Sequence, residues 1–148
     1  MLKLMPPEMQ KIVIDTNVIV SALIGSSFPR QILYNLVFEK KVIVCTSADI
    51  FKEYIEVLSR EKFRKYPEFV AKAEIVINKL YELSIKYIPS VKLTVIQDDP
   101  DNRILELAIT AQADYIVTGN TRDFTFSQYE GIKVVSPEQL INIVLKPN

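Results

Sequence analysis

Short runs of β-branched and aliphatic residues alternate along this chain with stretches of helical periodicity, and that alternation restricts the fold to the α/β class with a parallel sheet. The runs fall at 11–15, 42–45, 85–88, 115–118 and 133–135, and helical patterns occupy 18–23, 30–38, 48–59, 68–83, 101–112 and 137–144. The last helix has a well-formed start: Ser136 can cap, Pro137 takes the first helical position, and Glu138 suits the positive end of the dipole. With 148 residues, 49% of them apolar, the chain fits one compact domain. The expected architecture is three-layer α/β/α around a central, mostly parallel sheet of about five strands. Residues 11–148 form the domain and residues 1–10 a short extension; no linker, repeat or low-complexity stretch interrupts it.

Composition removes several chemistries. The chain has no histidine, so Ser-His-Asp and Cys-His catalysis and histidine-ligated zinc are excluded. Cys45 is the only cysteine, which rules out an intrachain disulfide and fits a buried strand position. Formal net charge is zero, so a nucleic-acid partner must be held by a local basic patch. No run approaches the length of a membrane span, and the two prolines within residues 1–10 argue against a signal peptide; a cytoplasmic location is expected.

Against that background four acids stand out: Asp15, Glu53, Asp101 and Asp123. Asp15 ends the first apolar run, where a carboxylate either points off the carboxyl edge of the sheet or caps the following helix, as Thr16 also can. On the helix that follows, Ile50, Phe51, Tyr54, Ile55, Val57 and Leu58 form one stripe. Glu53 falls about 40° outside that stripe, at the margin of a cleft, whereas Glu56 faces solvent. Asp101 projects onto the apolar stripe of Ile104, Leu105, Leu107, Ala108 and Ala111, where a charge is costly without compensation, while Glu106 points away. Asp99 is placed to cap this helix with Pro100 at its first position; Asp98 stays open as a ligand. Asp123 either begins a short helical turn or faces the cleft, and Asn120 is a neutral oxygen nearer the strand end. Asn17, Ser47 and Thr118 are candidates to orient the acids, Ser47 equally to cap the Glu53 helix. Carboxylates gathered at one sheet edge repel one another unless a hard cation neutralises them, and oxygen-only ligands suit magnesium or manganese.

Taken together, Ile12-Val13-Ile14-Asp15-Thr16-Asn17, the helix from Ser47 to Glu53, Asp98-x-x-Asp101-Asn102 and Val117-Thr118-Gly119-Asn120-x-x-Asp123-Phe124 resemble the PIN domain family, the nuclease domain of VapC-like toxins. The closing segment from Gly131 to Leu140 is similar to that family's last strand and helix. Each motif is weak alone; their order and spacing carry the resemblance, which spans nearly the whole chain. It departs at Asn120, where many members of the nearest subfamily carry an acid, and the site then has one fewer negative charge.

The resemblance implies a magnesium- or manganese-dependent endoribonuclease leaving a 5′-phosphate. Asp15, Glu53 and Asp101 would hold a first metal, and Asp123 would complete the site or help to hold a second. It also implies a toxin with a cognate antitoxin, and homodimers are usual in the family. RNA would be gripped by Arg60, Lys62, Arg64 and Lys65, interleaved with Phe63 and Tyr66, unless this segment is a solvated helix end with its aromatics packed inside. Arg122 is placed either to contact phosphate or to pair with Asp123. Three other readings compete. One is a weak or inactive PIN-like RNA-binding module. Another is an aspartate-nucleophile phosphatase, disfavoured by Asn17 where a second aspartate is usual. The third is a DNA flap nuclease, disfavoured by the short scaffold.

Overall fold

A computed structural model of the chain describes residues 9–96, 99–124 and 126–145. Five strands are parallel: β1 (Lys11–Ile14), β2 (Ile43–Ser47), β3 (Ile85–Tyr87), β4 (Tyr115–Val117) and β6 (Ile132–Val135). A sixth, β5 (Gln128–Tyr129), pairs antiparallel with β6, and the sheet order is β3-β2-β1-β4-β6-β5. The expected five-strand α/β/α sheet is therefore present with one addition. That addition is a two-residue hairpin whose turn residues Glu130 and Gly131 both have positive φ, 50° and 85°. Paired positive φ values match the primed turns that suit strand twist, but they usually carry Asn-Gly or Asp-Gly rather than Glu-Gly.

β1 is the centre of the core. Ile12, Val13 and Ile14 are all fully buried, as a strand covered on both faces requires. The helices are α1 (Thr16–Leu23), α2 (Ser27–Gln31), which runs on into a π-helical turn at Ile32–Val37, α3 (Ala48–Leu58), α4 (Glu61–Arg64), α5 (Pro67–Leu83), α6 (Asp99–Ala111) and α7 (Pro137–Leu145). From β1 to β3 the chain steps one way across the sheet, and through α6 it returns to β4 on the other side of β1. Right-handed crossovers then place α6 on the face opposite the earlier helices. Cys45 is buried in β2, and burial pushes its thiol up to about 11, consistent with a packing role.

Two sequence expectations about α6 are corrected. Asp99 lies inside the first turn rather than at the cap, and its carboxylate accepts from Arg103 Nη1 at 3.1 Å. Glu106 does not face solvent. It is 4% exposed, pairs with Arg103 at 2.6 Å and accepts the Leu93 amide at 2.7 Å. Arg103 Nη2 in turn donates to the Leu93 carbonyl at 3.0 Å. One turn earlier the Asn102 amide treats Ile96 the same way, accepting its N–H at 2.9 Å and donating to its C=O at 2.7 Å. Helix side chains thus stand in for a neighbouring strand and fasten the segment that precedes α6. Periodicity missed this because a buried ion pair occupies the face that hydrophobicity alone assigns to water.

Asn102→Ala should leave both buried backbone groups of Ile96 unpaired and cost about 2 kcal/mol. Urea denaturation checks this; a loss below about 0.5 kcal/mol, the scatter of ordinary surface changes, would show that water replaces the amide.

Candidate active site

β1 lies between β2 and β4, and the chain leaves β1 toward β2 but leaves β4 toward β6. Strand order reverses between β1 and β4, and ligands bind open α/β sheets at the carboxyl ends of such a pair. Asp15 follows β1 there, and Thr118 follows β4. The Asp15 amide donates to the Val117 carbonyl at 2.9 Å, so the ladder holds up to the residue that carries the carboxylate.

Asp15 occupies the N-cap position of α1, yet its side chain makes no cap hydrogen bond. Oδ2 instead accepts from the Thr118 hydroxyl at 2.8 Å and from Asn17 Nδ2 at 3.3 Å. The carboxylate therefore turns toward the loop after β4 and not onto the first turn of α1. Asn17 also accepts the Gly119 amide at 2.9 Å, tying the loop after β4 to the turn after β1. A Cβ at position 119 would sit 3.3 Å from Asn17 Oδ1, so this close approach favours glycine.

Glu53 reaches the site because α3 is hooked to the end of β1 at two points. The Tyr54 hydroxyl donates to the Ile14 carbonyl at 2.5 Å, and the Thr16 hydroxyl donates to Glu53 Oε2 at 2.8 Å. Consecutive residues of α3 therefore grip the residues on either side of Asp15. Glu53 is half-buried and Glu56 exposed, as the helical stripe predicts. Ser47 is spent elsewhere: its hydroxyl caps α3 by accepting from the Ile50 amide at 3.2 Å.

Asp123 is exposed on a 3-10 turn, Thr121–Asp123, and accepts from Asn120 Nδ2 at 2.9 Å. The Asn120 amide donates to the Thr118 hydroxyl at 3.1 Å, so this turn is linked to Asp15 through one side chain. Asp101 is 6% exposed in the first turn of α6. α6 packs on β1 and β4 and leads into β4, which brings its first turn to the carboxyl edge of the sheet. Asp98 lies outside the described residues.

Charge converges on Asp15. Burial pushes its carboxyl above the ordinary aspartate range, and the like charges of Glu53 and Asp123 push the same way. The Thr118 hydroxyl and the Thr16 amide oppose the rise. Among the described residues, no three acids are drawn together into a complete metal site. The donor set nevertheless suits a hard divalent cation in two respects: every side-chain donor is oxygen, and Asp15 is buried next to like charges that a cation would neutralise.

The basic arm divides. Arg60 is paired with Glu56 at 3.2 Å, and Arg64 Nε donates to the Ser59 carbonyl at 3.3 Å. Phe63 is stacked on Phe69 with centroids 4.2 Å apart, so this aromatic packs inward. Lys62, Lys65 and Tyr66 remain exposed. Arg122 is exposed and forms no ion pair with Asp123 among the described residues, while Asp123 Oδ1 accepts from Asn120. Thr16 is the residue that sequence reasoning undervalued. As the neighbour of Asp15 it read as a helix cap, and only the placement of α3 reveals Glu53 as its partner.

Among the described residues no helix is long and apolar enough to cross a membrane. The PIN domain family model matches residues 11–122. The chain is also similar to the uncharacterized protein MJ1680 of Methanocaldococcus jannaschii, 34% identical over 111 residues that cover 74% of this chain and 70% of that one. With the switch-point acids and the parallel sheet, these matches establish that the chain belongs to the PIN domain family, whose members are generally nucleases.

Proposed function

We propose that this protein is a magnesium- or manganese-dependent endoribonuclease that hydrolyses RNA phosphodiester bonds. The observation that carries this reading is the buried Asp15 carboxylate at the switch point, with Glu53 and Asp123 as like-charged neighbours. Asp15, Glu53 and Asp101 would hold the cation, and Asp123 would complete the site or help to hold a second one. When bound, the ion supplies an activated water and offsets charge on the phosphoryl and leaving oxygens. The chain's own contribution is positioning. Thr118 and Asn17 hold Asp15, Thr16 holds Glu53, and Asn120 holds Asp123, each from a neutral donor. With no histidine in the chain, no side chain titrates near neutrality unless strongly perturbed, and acidic ligands plus a cation are the economical route.

Of the basic residues that the sequence singles out, Lys62, Lys65 and Arg122 are available to the RNA backbone, with Arg60 and Arg64 partly engaged within the protein. A toxin role, with a cognate antitoxin, a homodimer and a cytoplasmic location, goes with the VapC-like resemblance and belongs to the same proposal. A second reading, an RNA-binding module without catalysis, is favoured by Asn120 and by the lack of three gathered acids among the described residues.

Asp15→Asn decides between them: it should abolish magnesium-stimulated cleavage of single-stranded RNA while leaving RNA binding in place. EDTA should do the same to the unmodified protein, and cleavage that survives both treatments sinks the mechanism. The same variant tests the electrostatics. Because the folded Asp15 carboxyl titrates above its unfolded range, its ionised form costs stability once pH exceeds the folded value. In EDTA at pH 7, Asp15→Asn should therefore melt higher than wild type. The gap should close as pH falls below the ordinary aspartate value of about 4. Finally, Thr16→Val should lower kcat about tenfold, the scale of one lost hydrogen bond to a charged group, and Thr16→Ser should restore it. Equal loss in both would assign the effect to packing at β1.

A further inference from the structure

On the flank of α3 away from Glu53, a slot of about 430 Å³ opens between α3, the end of α5 and β3. Its lining includes Phe51, Ile55, Tyr81 and Ile88, with Lys52 and Lys86 beside them. Tyr81 is 57% exposed and Ile88 91%, an unusual concentration of apolar surface in water. Phe51 meets the Tyr81 ring edge-on at 5.2 Å, and the Lys86 ammonium lies 4.0 Å from the same ring.

Register fixes where this slot stands. β1 and β2 pair Lys11 with Ile43 and Ile12 with Val44, so Asp15 is level with Ser47, and Ser47 pairs with Tyr87. Adjacent strands are about 4.8 Å apart, which puts the rim of the slot about 10 Å along the same sheet edge from Asp15. Lys52 directly precedes Glu53, and at about 100° per residue it lies on the α3 surface between Glu53 and the slot. Neither Lys52 nor Lys86 forms an ion pair among the described residues, but Lys86 Nζ donates to the Tyr81 carbonyl and, at 3.3 Å, to the Ser84 carbonyl, which leaves Lys52 the freer of the two cations.

We propose that this slot is a subsite for an unpaired nucleobase of single-stranded RNA whose scissile phosphate lies at Asp15, with Lys52 and Lys86 on the intervening backbone. The inference rests on the ribonuclease reading and adds to it a base-binding surface on the far flank of α3, separate from the acids. Aromatic and aliphatic walls interleaved with lysines are what a strand without sequence preference requires, since every base has a stacking face. An added peptide strand suits the slot less well, because β3 is only three residues long and offers little ladder to extend.

The test is equilibrium binding of a short unstructured RNA, made in the Asp15→Asn background so that the RNA stays intact. Tyr81→Ala and Lys86→Glu should each weaken binding about tenfold, and Tyr81→Phe should bind like the parent, since one stacked base accounts for an effect of this size. Both changes are at exposed positions, and a melting scan confirms that each variant is folded. RNA affinity unchanged in both folded variants would overturn the subsite. If the wild type itself neither binds nor cleaves RNA, the ribonuclease reading fails and the subsite with it. Cleavage by the wild type with unaltered variants removes the subsite alone.

Discussion

A carboxylate withdrawn from water at the end of the central strand is the constraint on which the rest of this site depends. Asp15 is 8% exposed, and its carboxylate is met by neutral donors, the Thr118 hydroxyl, the Asn17 side-chain amide and the Thr16 backbone amide, with no ion pair among the described residues. Neutral donors soften the cost of burial without cancelling it, and the carboxyl remains shifted upward. The fold tolerates this because Asp15 sits where the backbone is already committed: its amide closes the β1–β4 ladder and its carbonyl accepts from Val18 in the first turn of α1. Local backbone bonding holds the acid in a place that its solvation disfavours. Such an arrangement stores electrostatic free energy that binding of a cation would release.

The same strand end explains why α3 is where it is. Ile14 offers a carbonyl to Tyr54, and Thr16 offers a hydroxyl to Glu53. Tyr54 is fully buried, and burial drives its phenol far above the ordinary range, so it remains a neutral donor at any relevant pH. A core residue thereby fixes the height of its charged neighbour. Stability and site geometry are coupled through adjacent positions on one helix, rather than being separate layers of the design.

Much of this was legible from sequence, for reasons that differ by residue. Strand and helix periods located β1, α3 and α6, and with them Asp15, Glu53 and the burial of Asp101. Thr118 stands out as the last residue of the run at 115–118, and the strand itself stops one residue earlier. What periodicity could not supply was partnership. Thr16 and Glu53 are 37 residues apart, and only the crossover through α2 and β2 brings them together. Glu106 was misplaced because its ion pair with Arg103 makes a polar residue behave as an interior one. β5 escaped notice because two residues leave no alternation to detect, and its turn carries Glu130 where asparagine is usual. Ser47 illustrates a different limit: one hydroxyl fits two roles, and the geometry of α3 alone selects the cap.

The fastening of Leu93 and Ile96 to α6 has an evolutionary side. Asp101 belongs to a helix turn braced by Asn102, Arg103 and Glu106, whose bonds tie that turn to the segment before α6. Drift in those three side chains would alter in small steps how firmly the turn is held while Asp101 itself stayed intact. Asp15 offers no comparable gradation, being embedded in the strand on which the whole fold is built.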